Sequence, residues 1–163
     1  MKIDLANPQR YTLMLGNTIL GDGFFSRLYR DLRIKTGYVY SVESELSFNR
    51  TRSDYSASFG CDPQNVGKAR AALVQDIKDM QTHPVSDTEL NRAKAQMLRR
   101  LPMQRDSISG IGALFLRLSD LGLPLDAPQK GAERIYASTA ADIQAAFSTY
   151  LRPDDLAQVV KGP

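Results

Sequence analysis

Residues 28–42, LYRDLRIKTGYVYSV, carry the chain from a helical pattern straight into a strand pattern. Phe24, Leu28 and Leu32 recur every four residues, which stacks them on one helix face. Gly37 then suits the left-handed position that closes a helix. YVYSVESELSF follows, rich in β-branched and aromatic residues. A helix feeding directly into a strand calls for a mixed architecture. The same junction puts Arg33 near the helix end and Tyr40 inside the strand, seven residues on. Either this is ordinary connective structure or the two side chains are aimed at one point.

The surrounding pattern supplies the other elements. NPQRYTLMLGNTILG reads as a first helix, capped by Asn7 with Pro8 in its opening turn and ended by Gly21 and Gly23. Tyr11, Leu15, Thr18 and Ile19 share a face, with Met14 beside them. DYSASFGC, beyond the polar segment NRTRSD, pairs with the first strand as an antiparallel hairpin. Asp62 and Pro63 open a third helix whose Val66, Ala69, Leu73, Ile77 and Met80 form an apolar stripe. HPVSDTEL is the clearest local signal: Ser86 and Glu89 form a capping box, and Val85 and Leu90 a hydrophobic staple. The fourth helix turns Leu90, Ala93, Met97 and Leu101 inward and stops near Pro102. A fifth, from about Asp106, carries Ile108, Ile111, Phe115, Leu118 and Leu121 on one side. STAADIQAAFSTYL is a sixth, with Thr139 and Asp142 as its capping box. LAQVVKG reads as a closing strand. The expected fold class is α+β, an antiparallel sheet with helices packed on one face.

The chain of 163 residues is long enough to bury a core as one domain. Its 21 basic and 18 acidic residues leave +3, a mild excess without the basic stripe of a nucleic-acid binder. Arg27, Arg30 and Arg33 read on their own as a solvated helix face. No apolar run is long enough to span a membrane.

The chemistry of a self-sufficient hydrolase is missing. A zinc hydrolase needs about three protein ligands and a water position, yet the only histidine is His83, which reads as a turn residue. A Ser/His/Asp or Cys/His arrangement would need that same residue. The single cysteine, Cys61, reads as a small buried hydrophobe at a strand end. GDGFFS is only superficially like a dinucleotide-binding loop: no clear strand precedes it and Ser26 replaces the last glycine. Asp31, Glu43 and Glu45 show no pairing that implies acid–base work. The chain alone is expected to be inactive, with no metal and no cofactor of its own.

NTILGDGFFSRLYRDLRIKTGYVYSVES resembles the C-terminal half of the M16 (pitrilysin/insulinase-type) zinc metallopeptidases, whose typical stretch reads N-x-x-L-G-G-G-x-x-S-R-L-Y-x-x-L-R-x-x-x-G-L-x-Y-S-V. DPQNVGKA, PVSDTELNRAKAQML and LRPDDLAQVVKGP continue the likeness in order over nearly the whole chain. The resemblance implies an M16 peptidase-like, LuxS-type metallohydrolase half-domain, with residues 1–163 forming one such domain. It implies that zinc, held by an H-x-x-E-H motif, belongs to a catalytic M16 half in the same polypeptide or a separate subunit. It implies that Arg33 and Tyr40 bind peptide substrate in the shared active site. Two departures matter: Asp22 interrupts the glycine triplet, and Tyr38 stands where leucine is usual. Alternation puts Tyr38, Tyr40 and Val42 on one face, which makes Tyr38 a possible understudy.

The chain is shorter than a full family half, and its leading strands are expected to lie upstream in a longer polypeptide. The likeness to exported bacterial peptidases implies a periplasmic location. The alternative expectation is a non-proteolytic assembly subunit of M16-like fold, which would have no need of the Arg/Tyr pair.

Overall fold

The computed structural model describes residues 1–103 and 107–162; Asp106 and the side chain of Leu101, both named above, lie outside the described set. α1 (Gln9–Leu20) begins where Asn7 Oδ1 accepts from the Gln9 amide at 2.9 Å. It runs through the centre of the molecule, against α2 (Val66–Thr82), α3 (Asp87–Met103), α5 (Ala127–Ala137), α6 (Ala140–Tyr150) and β1 (Ser41–Phe48). Gly16 makes this possible. A Cβ there would collide with the Phe147 ring and Ile143 of α6.

The segment after α1 is not the α-helix expected. Tyr29–Lys35 is a π-helix, with wider turns than an α-helix. Leu28 and Leu32 are fully buried, as their spacing required, but Phe24 lies outside the helix and is 77% exposed. Thr36 Oγ1 donates to the carbonyls of Asp31 and Leu32, both at 3.0 Å. Gly37 takes φ +63, the left-handed conformation that lets the chain turn into the sheet.

β1 pairs antiparallel with β2 (Ser53–Gly60), Ser41 opposite Gly60 and Phe48 opposite Ser53. Val42, Ser44, Leu46 and Phe48 face the helices while the residues between them are exposed. Helices therefore cover one face of the hairpin, giving a helix-rich α+β fold. The expected third strand does not form. The described residues hold two strands, and the LAQVVKG stretch is extended but unpaired, with Val159 94% exposed. A strand pattern needs a neighbouring backbone to become a ladder.

Both capping boxes are present, at Ser86–Glu89 and at Thr139–Asp142. Val85 and Leu90 are buried together as the staple requires. α4 (Ile108–Asp120) is capped by Ser107, but its apolar stripe is not the buried face expected. Only Leu118 is buried, and Ile108 is 92% exposed. α5 is a further helix, in a stretch for which no element was expected.

Candidate functional site

The junction opened by residues 28–42 is held from below and from the side. From below, Leu28, Leu32 and Val39 enter the core. From the side, Arg27 grips Glu89 with two hydrogen bonds of 2.8 Å. Glu89 thus does two jobs, capping α3 and fixing the start of the π-helix. Its hydrogen bonds from Arg27 come first among the causes that pull its carboxyl down to about 2. Arg30 lies along Asp31 with two bonds of 3.0 Å, and Lys35 closes on Asp31 from the next turn at 2.6 Å. Burial works against ionisation of Asp31, but Arg30 and Lys35 outweigh it and keep the carboxyl below its ordinary value. Two of the three arginines read as a solvated face are therefore structural ties.

Arg33 is the third arginine, and it is exposed. It donates one Nη1 hydrogen bond to the Val39 carbonyl at 3.1 Å. That contact ties the guanidinium to the residue just before Tyr40. Tyr40 stands one position outside β1 rather than within it, with its amide on the Gly60 carbonyl at 2.7 Å. Its side chain is 61% exposed. Hydrogen bonding to the Asp62 carboxylate is the main reason its phenol sits above its ordinary pKa; desolvation adds to this and Arg33 opposes it. The phenol therefore keeps its proton at neutral pH, directed at Asp62. Arg33 and Tyr40 are both exposed, and the charge of the guanidinium is felt at the phenol.

The alternation expected for Tyr38, Tyr40 and Val42 fails. Val42 and Val39 are buried, Tyr40 is exposed, and Tyr38 is half-buried against the core with the Lys68 ammonium 5.8 Å from its ring centre. The cause is local. The Tyr38 amide bonds back to the Leu32 carbonyl at 3.0 Å, so residues 37–39 are not yet strand and do not alternate.

Other candidates resolve as structure. His83 ends α2 in the open, with Nδ1 2.9 Å from Thr82 Oγ1. Cys61 follows β2 as a free thiol. Gly21 lies so close to Ser44 that a Cβ would clash, and its carbonyl accepts from the Ser44 amide at 3.2 Å. Asp22, the departure from the glycine triplet, meets Arg100 at 3.2 Å. Among the described residues, no three His, Cys, Asp or Glu side chains converge as metal ligands, so these residues do not fit a zinc site. Nor is any described helix long and apolar enough to cross a membrane.

A family model, the peptidase M16 inactive domain, matches residues 3–97. An uncharacterized zinc protease of Streptomyces coelicolor is 29% identical over 115 residues, which is 69% of this chain and 24% of that protein. The non-peptidase homolog YmxG of Helicobacter pylori is 25% identical over 138 residues, 85% of this chain and 32% of that protein. The chain thus spans a third or less of the length of either relative. In fold, the peptidase M16 inactive domain from Pseudomonas fluorescens superposes with a TM-score of 0.85 at 22% identity, covering 94% of this chain and 37% of that one. The periplasmic protease PqqL from Escherichia coli superposes at 0.72 with 20% identity, covering 93% and 16%.

Proposed function

The chain belongs to the M16 peptidase family, through its inactive domain, and from that premise we propose that it is the substrate-binding, non-catalytic half of a zinc metalloendopeptidase. Its partner is a catalytic M16 half, in the same polypeptide or a second subunit. That half supplies the zinc, its ligands and the glutamate that activates water. This chain supplies Arg33 and Tyr40. The observation that carries the reading is the Arg33–Val39 hydrogen bond of 3.1 Å, which ties a guanidinium to the residue preceding the exposed Tyr40. The guanidinium, and the phenol once it turns from Asp62, donate to a peptide carbonyl, orient the substrate and favour the negative charge that develops on its oxygen. Placement in the periplasm goes with this reading and draws support from the likeness to a periplasmic protease.

The test is complementation. The chain is mixed with a separately expressed zinc-bearing M16 half, and cleavage of a fluorogenic peptide is followed. Wild type restores cleavage. Arg33→Ala and Tyr40→Phe each lower kcat/KM by about a hundred- to a thousand-fold, as expected for the loss of one oxyanion donor, with unfolding curves unchanged. Restored cleavage in both variants rejects the roles of Arg33 and Tyr40.

A second reading, a non-proteolytic assembly subunit, is favoured by the match to a homolog described as a non-peptidase. Stable association of the two halves without cleavage, unaffected by either substitution, selects it.

A further inference from the structure

Arg10 lies in the first turn of α1, yet it is only 7% exposed. Its Nη2 donates to the Tyr11 hydroxyl at 2.6 Å, and its guanidinium carbon lies 4.5 Å from the centre of that ring. Tyr11 in turn donates its one proton to the Ala127 carbonyl at 3.0 Å, so its oxygen is left to accept from Arg10. Gly131 presses on the other side of the ring so closely that a Cβ there would collide with it. The guanidinium is thus fixed by its neighbours. Its Nη1 is enclosed and has no partner among the described residues. Among the described residues no carboxylate forms an ion pair with Arg10. A buried cation without a counter-charge is costly to hold.

Arg10 lines a cleft of about 480 Å³ between α1, α3, α5 and β1. That is the size of a small-molecule site. Met14, Leu46, Met97, Leu118 and Ile135 supply apolar wall. The other polar groups in it are already committed. Asn17 and Ser44 bond to each other at 3.0 and 2.7 Å, and Thr18 donates to the Met14 carbonyl at 3.1 Å. Asp22 accepts from Arg100 at 3.2 Å and from Gln96 at 3.3 Å. Glu45 also lines the cleft and is exposed.

We propose that this cleft binds a small, singly charged carboxylate with an apolar tail, its head on Arg10 and its tail along Met14, Leu46 and Met97. A carboxylate matches the planar donor fork of a guanidinium. One unspent cation, with the Asp22 carboxylate also in the lining, selects a single negative charge over a phosphate. The site is separate from Arg33 and Tyr40 and stands whether or not those residues bind peptide.

The experiment titrates sodium hexanoate into the intact chain and follows the methyl NMR signals of Met14 and Met97. Hexanol and hexylamine, of equal tail length, are run in parallel. Hexanoate moves both methyls saturably and binds at least ten-fold more tightly than hexanol, while hexylamine moves neither. Arg10→Met abolishes the preference for carboxylate over alcohol. Should Arg10→Met fail to fold, the ranking of hexanoate over hexanol and hexylamine in the wild-type chain decides the matter. Equal binding of hexanoate and hexanol, the absence of saturable hexanoate binding, or binding of hexylamine overturns the proposal.

Discussion

α1 and the π-helix are consecutive in the chain, yet α1 buries nine of its twelve residues while the π-helix buries Leu32 alone of its seven. In α1, packing decides what each position tolerates. In the π-helix, Leu32 and the neighbouring Leu28 anchor the segment, two acidic residues tie its arginines, and Arg33 faces solvent. α1 offers another molecule only what lines the cleft at Arg10, whereas the π-helix turns Arg33 outward. Buried and exposed positions on these two helices should therefore respond to substitution in different currencies, stability for the first and activity for the second.

The contrast is sharpest at Phe147, a fully buried ring of α6 lying on Gly16. Phe147→Ala should cost about 4 kcal/mol, as deletion of a core aromatic does, read as a lower midpoint in urea unfolding. Gly16→Ala probes the same contact from the other side. Alanine gains about 1 kcal/mol of helix propensity over glycine, but the added methyl meets Phe147 and Ile143. Overpacking should win and leave a net loss of about 2 kcal/mol. A stabilised Gly16→Ala variant would break the view of α1 as a close-packed axis.

On the π-helix side the expected losses are smaller and depend on pH. Glu89→Gln removes the charge gripped by Arg27 and should cost about 1.5 kcal/mol at pH 7. Because the folded-state carboxyl is drawn from 4.5 down to about 2, its contribution is present above pH 4.5 and fades as pH falls toward 2. The variant and wild type should therefore converge in acid, as checked by unfolding at pH 3 and 7.

Asp76 of α2 carries the opposite sign. Burial, then the charges of Asp31 and Asp79, push its carboxyl from 3.8 up to about 7 against the pull of Arg30 and Arg27. Its Oδ2 has no partner. The folded state holds the extra proton, so this group costs stability increasingly as pH rises from 3.8 through 7. Asp76→Asn should be stabilised more at pH 8 than at pH 5, because the wild-type cost grows across that interval, measured as a flatter stability profile. The smallest effect is expected at Arg33→Ala, within about 0.5 kcal/mol of wild type as for exposed positions generally. A large loss there would turn Arg33 from an outward-facing donor into a structural tie.

The elements that the sequence announced most plainly are those set by neighbours along the chain. The boxes at Ser86–Glu89 and Thr139–Asp142 close within three residues, so their geometry is nearly complete before the fold forms. The hairpin and the burial of Leu28 and Leu32 follow from short-range periodicity in the same way. Arg33 and Tyr40 stood out only through the resemblance to the M16 family, because spacing alone does not distinguish a solvated arginine from an aimed one.

What periodicity did not carry depended on distant surroundings. Residues 28 and 32 fit an α-helix and a π-helix equally, and the choice came with the bonds of Thr36 and Tyr38 back to Leu32. α5 was not expected from the sequence; it carries Pro128 in its first turn and Gly131 where the Tyr11 ring comes too close for a Cβ. The closing strand pattern near Val159 found no backbone to pair with. The sequence by itself determined the caps, the hairpin and the apolar positions that collapse inward, since each is a local balance of hydrogen bonds and burial. The tertiary structure alone decided that Arg27 meets Glu89 and that Arg10 is buried with no counter-charge among the described residues. Each of these depends on groups brought together only once the core has closed.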